Sequence, residues 1–162
     1  MALFDDLKTT MLADGLIDDD LKMLAEIAKV KEYYKNGIIF RENDVEDSIY
    51  VLLQGKVAIE RRIMPNQQAI HAHIQNVRRG QLFGEMGFIE RRSRSATAVA
   101  KGHVRLIQFD IEELEHLIAL HEMLGLRLFR TIAELLSRRL RRMNDQWIRT
   151  VESSSLKEFE YF

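Results

Sequence analysis

The stretch from Gly37 to Phe109 restricts the fold more than any other part of the sequence, because it consists of short β-type runs separated by turn signals. Roughly seven or eight such runs fall within about 70 residues, which is typical of a small barrel or jelly roll. Helical spacing of apolar residues replaces this pattern on both sides. We therefore predict a mainly β fold: an eight-stranded β-roll or jelly roll of the double-stranded β-helix (cupin-like) type, with N-terminal helices and a long C-terminal helix.

Two segments show the strand pattern most clearly. In IYVLLQGKVAIE a Gln-Gly pair separates two apolar runs, which predicts a hairpin formed by strands 49–53 and 56–61. In AIHAHIQNV apolar and polar residues alternate, which predicts a half-buried strand. Its predicted inward residues are Ile70, Ala72 and Ile74, and its outward residues are His71, His73 and Gln75.

Apolar residues at helical spacing predict helices before and after the β segment. The first covers residues 3–12, and the second begins at the capping carboxylates Asp18–Asp20 and ends near Asn36-Gly37. After Asp110 we expect a short helix (111–120), a bend at Gly125 and then a long helix. The long helix carries a single apolar stripe: Leu124, Leu128, Ile132, Leu135, Leu136, Leu140, Met143, Trp147 and Val151.

The length of 162 residues fits one globular unit with these parts in sequence. The predicted parts are an N-terminal helical segment (1–36), the β-roll (37–110), C-terminal lid or dimerisation helices (111–152) and a tail (153–162).

Composition argues against several classes of function. The chain contains no cysteine, so disulfides and thiolate metal sites are excluded and a reducing cytoplasm is the expected location. A formal net charge of −1 does not favour nucleic acid or membrane surfaces as partners, and no apolar run reaches the about 18 residues of a spanning helix. His71 and His73 lack a nearby carboxylate, so no metal site is predicted. No Ser-His-acid or paired-carboxylate arrangement is visible, so we predict that the protein is not an enzyme.

The segment FGEMGFIERRSRSATAVA, residues 83–100, has the residues that a small anionic ligand requires. Gly80 and Gly84 permit sharp turns, and GEMGF can form one helical turn whose free N–H groups point at an anion. Glu85 is suited to accept a hydrogen bond from a hydroxyl such as a ribose 2′-OH. The planar guanidinium of Arg94 is suited to donate to phosphate oxygens, and Ser95 adds a hydroxyl beside it. Together these residues predict a ribose phosphate as the ligand.

This segment resembles the phosphate-binding cassette of the cyclic nucleotide-binding domain family, here residues 83–97. The shared pattern is F-G-E-(M/L)-x-(F/L) followed by R-(S/T/A)-A-T-x-x-A. The preceding stretch GIIFRENDVEDSIYVLLQGKVAI is similar to the first strands of the family's β-roll, with Gly55 as its turn glycine. The resemblance covers residues 16–150 and implies a β-roll that binds a cyclic nucleotide. Such domains occur in transcription regulators, kinase regulatory subunits and gated channels.

The resemblance also implies a role for each matching residue. Glu85, with Gly84, would bind the ribose 2′-OH, and Arg94 would pair with the exocyclic phosphate oxygens. Ser95 would bond a phosphate oxygen, and backbone amides including that of Gly87 would shape the turn. The full predicted set of ligand-binding residues is Gly84, Glu85, Met86, Gly87, Arg94, Ser95 and Asn144.

The resemblance also implies that the helix after the barrel contacts the base. In this helix, SRRLRRMND aligns with the family's base-covering segment. This alignment nominates Met143 and Asn144, and Trp147 could stack on the base as a lid. The alternative is that Met143 and Trp147 belong to a dimer stripe. Ser95 stands where Thr often accompanies cGMP preference in the family, so cAMP is favoured, with cGMP or a cyclic dinucleotide as alternatives.

We therefore expect a stand-alone regulatory domain that binds a cyclic nucleotide, needs no other cofactor, and signals by moving its C-terminal helix. The expected partners are a second copy of the chain, bound through that helix, and an unidentified protein. Direct DNA binding is not expected, because the family's transcription factors use a further helix-turn-helix and too few residues follow Thr150 to form one. Two alternatives are the sensory fragment of a larger transcription regulator, channel or kinase, and a ligand-free interaction scaffold.

Overall fold

The computed structural model describes residues 2–45 and 47–159, the last six of them by backbone alone. Its helices are α1 (Ala2–Lys8), α2 (Asp18–Ile27), α3 (Glu85–Glu90), α4 (Ile111–Leu120) and α5 (Glu122–Phe159). Its strands are β1 (Lys29–Tyr33), β2 (Ile38–Phe40), β3 (Ser48–Gln54), β4 (Val57–Ile63), β5 (Ile70–Val77), β6 (Leu82–Phe83), β7 (Thr97–Ala100) and β8 (Val104–Asp110). Short 3-10 turns cover Met11–Asp14 and Pro65–Gln67.

The strands form two four-stranded antiparallel sheets, which confirms the predicted β-roll with flanking helices. The strand order is β1-β8-β3-β6 in the first sheet and β2-β7-β4-β5 in the second. Strand β3 lies inside the first sheet and is buried on both faces, which explains its continuous apolar sequence. Ile49, Val51 and Leu53 pack against the helices, while Tyr50 and Leu52 face the core between the sheets.

The N-terminal helical prediction is correct at its start and wrong at its end. Helix α2 begins at Asp18 as predicted, but it stops at Ile27, and Lys29–Tyr33 continue as strand β1 paired with β8. Ala28 adopts an extended conformation with φ −75° and ψ 134°, which ends the helix. Residues 3–12 likewise divide into helix α1 and a 3-10 turn rather than a single helix.

The predicted hairpin of residues 49–53 and 56–61 is wrong in its pairing, although both strands exist. Strand β3 pairs with β6 and β8, whereas β4 pairs with β5 and β7 in the other sheet. Gly55 therefore forms an arch between the sheets, with φ +89°. A Cβ at Gly55 would collide with the carbonyl oxygen of His103, so the arch requires glycine.

The predicted alternation along residues 70–77 fails at Ile70, which was predicted to face inward but is 46% exposed, and again in the second half of β5. The register pairs Ile59 with Gln75 and Glu60 with His73, so Ile74 is an extra residue in a β-bulge. The bulge leaves Ile74 exposed and makes Gln75 partly buried, opposite to the prediction for both residues.

The helical break after the barrel lies at His121 rather than at Gly125. Gly125 is buried inside α5, where a Cβ would lie 2.6 Å from the Ile118 side chain, so its role is to let α4 and α5 approach closely. Helix α5 is tied to α2 by a two-pronged ion pair, in which Arg127 Nε and Nη2 donate to the buried Asp20 carboxylate at 2.5 and 2.7 Å. Helical backbone continues to Phe159, into the segment predicted as a tail, and residues 160–162 lie outside the described residues.

The predicted single stripe of α5 divides into two faces. Leu124, Leu128, Ile132 and Leu135 are buried against the body of the protein. Leu140, Met143, Trp147 and Val151 are exposed, and every residue from Leu140 to Ser153 is exposed to solvent. No helix in the described ranges combines the length and the hydropathy that a membrane crossing requires.

Candidate functional site

Six of the residues predicted to bind ligand line one cavity between α3 and the inner face of the second sheet: Gly84, Glu85, Met86, Gly87, Arg94 and Ser95. Phe40, Ile59, Gln75, Phe83, Ala96 and Arg139 complete its lining. The open volume is about 60 Å³. Sites for small molecules generally enclose about 300–1,000 Å³, so a nucleotide enters this cavity only if some of these side chains move apart.

Gly84 forms the turn between β6 and α3. It has φ +76° and ψ 13°, a left-handed conformation that favours glycine. A Cβ at this position would lie 2.7 Å from Nη1 of Arg94 and 3.3 Å from the Tyr50 ring. Glycine is therefore required both for the turn and for the close approach of Arg94 to the backbone.

Arg94 is held rigidly at one end of the cavity, with only 3% of its surface exposed. Its Nη1 donates to the carbonyl of Gly84 at 3.1 Å, and its Nη2 donates to that of Ser48 at 2.6 Å. Its guanidinium carbon lies 4.1 Å from the centre of the Phe40 ring. These contacts fix the direction in which the guanidinium presents its donors, as the recognition of phosphate oxygens requires.

Glu85 is 1% exposed and forms a hydrogen-bonded ion pair with Arg139 of α5. Burial raises the pKa of the Glu85 carboxyl, and the nearby Arg139 and Arg94 guanidinium groups oppose this shift. Arg139 also donates from Nη2 to the carbonyl of Leu82 at 2.6 Å, so one side chain links α5 to both ends of the turn before α3. A carboxylate has two acceptor oxygens, so Glu85 can hold Arg139 and still receive a hydroxyl group.

Arg139 was not among the predicted site residues, although the sequence contains a signal for it. It follows Leu128, Ile132 and Leu135 at helical spacing and so continues the buried face of α5. Arg138 and Arg141 lie on other faces, and Arg142 lies on the same face one turn further along; all three are exposed. Helical register separates Arg139 from Arg138 and Arg141, whereas only the packed structure separates it from Arg142.

An aromatic cluster beneath Arg94 was also missed. Phe40, Tyr50 and Phe83 come from three strands, and their ring centres lie 5.3–6.2 Å apart. Phe40 and Phe83 line the cavity. Phe40 belongs to the second sheet, whereas Tyr50 and Phe83 belong to the first, so no local pattern predicts that these aromatic residues meet.

The three residues predicted to contact the base lie outside this cavity. Met143, Asn144 and Trp147 are exposed on α5, beyond the last residues that pack against the body, and Trp147 is 71% exposed. The structure therefore brings together the residues predicted to bind ribose and phosphate, and it leaves the candidate lid residues on the projecting part of α5.

The cavity thus combines a rigid cationic donor, a buried carboxylate acceptor and an apolar floor. This combination suits a ligand with a phosphate, a neighbouring hydroxyl and an apolar ring system. Within the described ranges, no group of three or more His, Cys, Asp or Glu side chains is arranged to hold a metal ion.

Comparison with known proteins agrees with this arrangement. The family model described as cyclic nucleotide-binding domain matches residues 30–121. The chain is 30% identical over 135 residues to the cyclic AMP receptor protein of Thermus thermophilus, covering 83% of this chain and 59% of that protein. It is 22% identical over 94 residues to the cAMP-dependent protein kinase regulatory subunit of Dictyostelium discoideum, covering 58% of this chain and 29% of that protein.

The chain therefore spans less than two thirds of either curated relative. A crystal structure of a cyclic nucleotide-binding domain from Methylobacillus flagellatus superimposes with a TM-score of 0.78 at 22% identity, covering 88% of this chain and 81% of that one. This likeness supports the fold, and the matching family model, which spans more than half of the chain, supports the relationship. The chain belongs to the cyclic nucleotide-binding domain family.

Proposed function

We propose that this chain is a regulatory domain, not an enzyme, that binds a cyclic nucleotide in the cavity between α3 and the second sheet. The observation that carries the proposal is the convergence of Glu85, Arg94 and Ser95 on one cavity. Arg94 donates to the cyclic phosphate, Glu85 accepts the ribose 2′-OH, and Ser95 bonds a phosphate oxygen. We propose cAMP as the preferred ligand because Ser95 follows Arg94; the names of similar proteins include both cAMP and cGMP and do not decide between the two.

Transmission to the rest of the molecule runs through Arg139. This side chain connects Glu85 and the Leu82 carbonyl to α5, and the cavity is too small for a nucleotide while these contacts keep their present geometry. A nucleotide that bonds Glu85 and widens the cavity therefore changes the contacts that position α5. The binding energy then shifts the population of α5 positions.

The exposed face of α5 supports a homodimer. Apolar residues recur along it at strict three- and four-residue intervals, the spacing of a two-helix seam: Leu126, Phe129, Ala133, Leu136, Leu140, Met143 and Trp147. Leu140 is 59% exposed and Trp147 is 71% exposed, so the single chain leaves the C-terminal part of this seam uncovered, whereas Leu136 is partly buried and Phe129 stacks on Phe88. We propose that a second copy covers it in a parallel, two-fold arrangement.

The same register gives Asn144 a place near the ligand. In a parallel pair of helices, the positions that flank the seam on its two sides meet between the helices. With Leu140 and Trp147 at the central positions of the seam, Arg139 and Asn144 occupy two such flanking positions. Asn144 of one copy would then lie beside Arg139 of the other, at the mouth of its cavity. We propose that Asn144 contacts the base by this route, with Met143 and Trp147 in the seam next to it.

Thermal unfolding in the presence of different nucleotides tests ligand binding. We expect cAMP to raise the unfolding temperature in a concentration-dependent way, because a ligand that binds only the folded state stabilises it. Linear 5′-AMP, which carries a phosphate of different geometry, is the matched control and should have little effect. No shift with cAMP or cGMP would contradict the proposal, and a shift with a cyclic dinucleotide alone would favour a receptor of that class.

The homodimer is tested by placing a charge in the seam. Leu140→Asp should weaken dimerisation by about 100-fold or more, because each copy would bury an unpaired carboxylate at a cost of several kcal/mol. Ile148→Asp is the matched control: Ile148 is also exposed, at 53%, but lies outside the seam. Sedimentation velocity distinguishes the species, and equal effects of the two substitutions would contradict the assigned seam.

A further inference from the structure

The part of the cavity wall that the second sheet forms contains one side-chain amide. Ile59 of β4 and Gln75 of β5 are directly paired in the second sheet, and both line the cavity. Among the described residues that line it, Glu85, Arg94 and Arg139 are the charged ones, and they come from α3, the segment after it and α5. Ile59 and Gln75 are therefore available to contact the base of a nucleotide whose phosphate and ribose are held by these charged residues.

The β-bulge at Ile74 gives Gln75 its orientation. Without the extra residue, Gln75 would share the solvent-facing side of β5 with His71 and His73, as simple alternation predicts. With it, Ile74 is 52% exposed and Gln75 is partly buried in the lining of the cavity. Bulges commonly occur beside binding sites, where they redirect a side chain. The bulge in β5 exposes an isoleucine and turns an amide inward, and burial of apolar surface would favour the opposite arrangement.

The fold does not use the hydrogen-bonding capacity of this amide. The Gln75 side chain makes no hydrogen bond to any residue in the described ranges, whereas the Gln108 amide donates to Ser48 Oγ at 2.7 Å and Gln81 Oε1 accepts from the Arg78 backbone at 2.9 Å. A partly buried amide has two donors and one acceptor oxygen to satisfy. In Gln75 both kinds of group remain available to a ligand.

We propose that Gln75 recognises the base of the bound nucleotide and favours adenine. Glutamine can form two hydrogen bonds with one edge of adenine, its oxygen accepting from the exocyclic N6 amine and its NH₂ donating to N7. Guanine presents acceptors at both corresponding positions, O6 and N7, so the glutamine oxygen would face an acceptor. Gln75 is thus a specificity-determining residue for cAMP over cGMP. This inference rests on the proposed function of the cavity.

Calorimetric titrations with cAMP and cGMP test the role of Gln75. We expect Gln75→Leu to reduce the preference for cAMP over cGMP by about 10-fold, mainly through weaker cAMP binding, within the range for losing a two-bond contact to a base. Leucine keeps similar bulk and suits a partly buried strand position, so the variant should fold. Gln68→Leu, the same change at an exposed residue in the β4–β5 connection, should leave the preference unchanged.

A second titration identifies the atoms involved. Purine riboside 3′,5′-cyclic monophosphate lacks the N6 amine, so the wild-type chain should bind it more weakly than cAMP, and Gln75→Leu should bind the two ligands nearly equally. If the wild-type chain binds cAMP and Gln75→Leu has the same ratio of cAMP to cGMP affinities as the wild type, the role of Gln75 is overturned and the proposed function is not. A folded wild-type chain that binds no cyclic nucleotide would overturn the proposed function and, with it, the role of Gln75.

Discussion

Replacing Arg94 with alanine is expected to weaken the binding of cAMP by about 30- to 5,000-fold, corresponding to about 2–5 kcal/mol for truncating one partner of a buried charge pair. The effect is large because Arg94 is buried in a fixed orientation, so no flexible surface charge can take its place. Isothermal titration calorimetry of the variant measures the loss. An affinity within two- to threefold of the wild type would contradict a contact between Arg94 and the ligand.

Two further variants separate the ligand contact from the structural contacts of Arg94. Arg94 also bonds the carbonyls of Gly84 and Ser48, so the alanine variant loses stability as well as affinity. Arg94→Lys keeps the charge but loses the planar fork, and an intermediate loss of affinity is expected. Arg92→Ala removes the same charge from an exposed side chain two residues away, and it should bind cAMP as the wild type does.

Replacing Arg139 with alanine should have the largest effect on folding. It leaves the Glu85 carboxylate buried without its ion-pair partner, which costs about 3–5 kcal/mol when the partner of a buried pair is removed. Urea unfolding at pH 8 measures this difference in the free energy of unfolding. Arg138→Ala is the matched control, because Arg138 is the adjacent arginine of α5, is exposed and forms no ion pair or hydrogen bond with another described residue. Equal destabilisation by the two changes would contradict the role of the Glu85–Arg139 pair.

The deficit of Arg139→Ala should depend on pH. Burial raises the pKa of Glu85 in the folded state and Arg139 opposes the shift, so removing Arg139 raises this pKa further. A carboxyl with a raised folded-state pKa contributes most to stability below its unfolded pKa, and that contribution is lost as pH rises through the folded pKa. The variant should therefore approach wild-type stability as the pH falls from 8 towards the ordinary range of a glutamate. A deficit that stays constant over this range would show that Glu85 does not titrate as proposed.

The predicted fold and the predicted site differ in how far local sequence could determine them. Strands β3 and β4 were located correctly because each has its own apolar pattern, but their assignment to different sheets depends on pairing with β8 and β7, distant in the chain. Strand β1 was taken for helix because the break at Ala28 carries neither glycine nor proline. Its strand conformation comes from pairing with β8, which local propensity does not report.

Within the site, residues close together in sequence were predictable and residues from distant elements were not. Gly84 to Gly87 and Arg94-Ser95 belong to one segment, and the structure places all of them around one cavity. Arg139 reaches the same cavity from α5 by tertiary packing. Gln75 was predicted to face solvent from simple alternation along the strand. That prediction was wrong because the bulge at Ile74 reverses the alternation.

Titration calorimetry of the whole wild-type chain with cAMP decides whether this cavity binds a cyclic nucleotide. We expect saturable binding of one nucleotide per chain, strongly weakened in Arg94→Ala and retained in Arg92→Ala. Absence of binding heat with either cAMP or cGMP at high micromolar concentration, in protein shown to be folded, would contradict it.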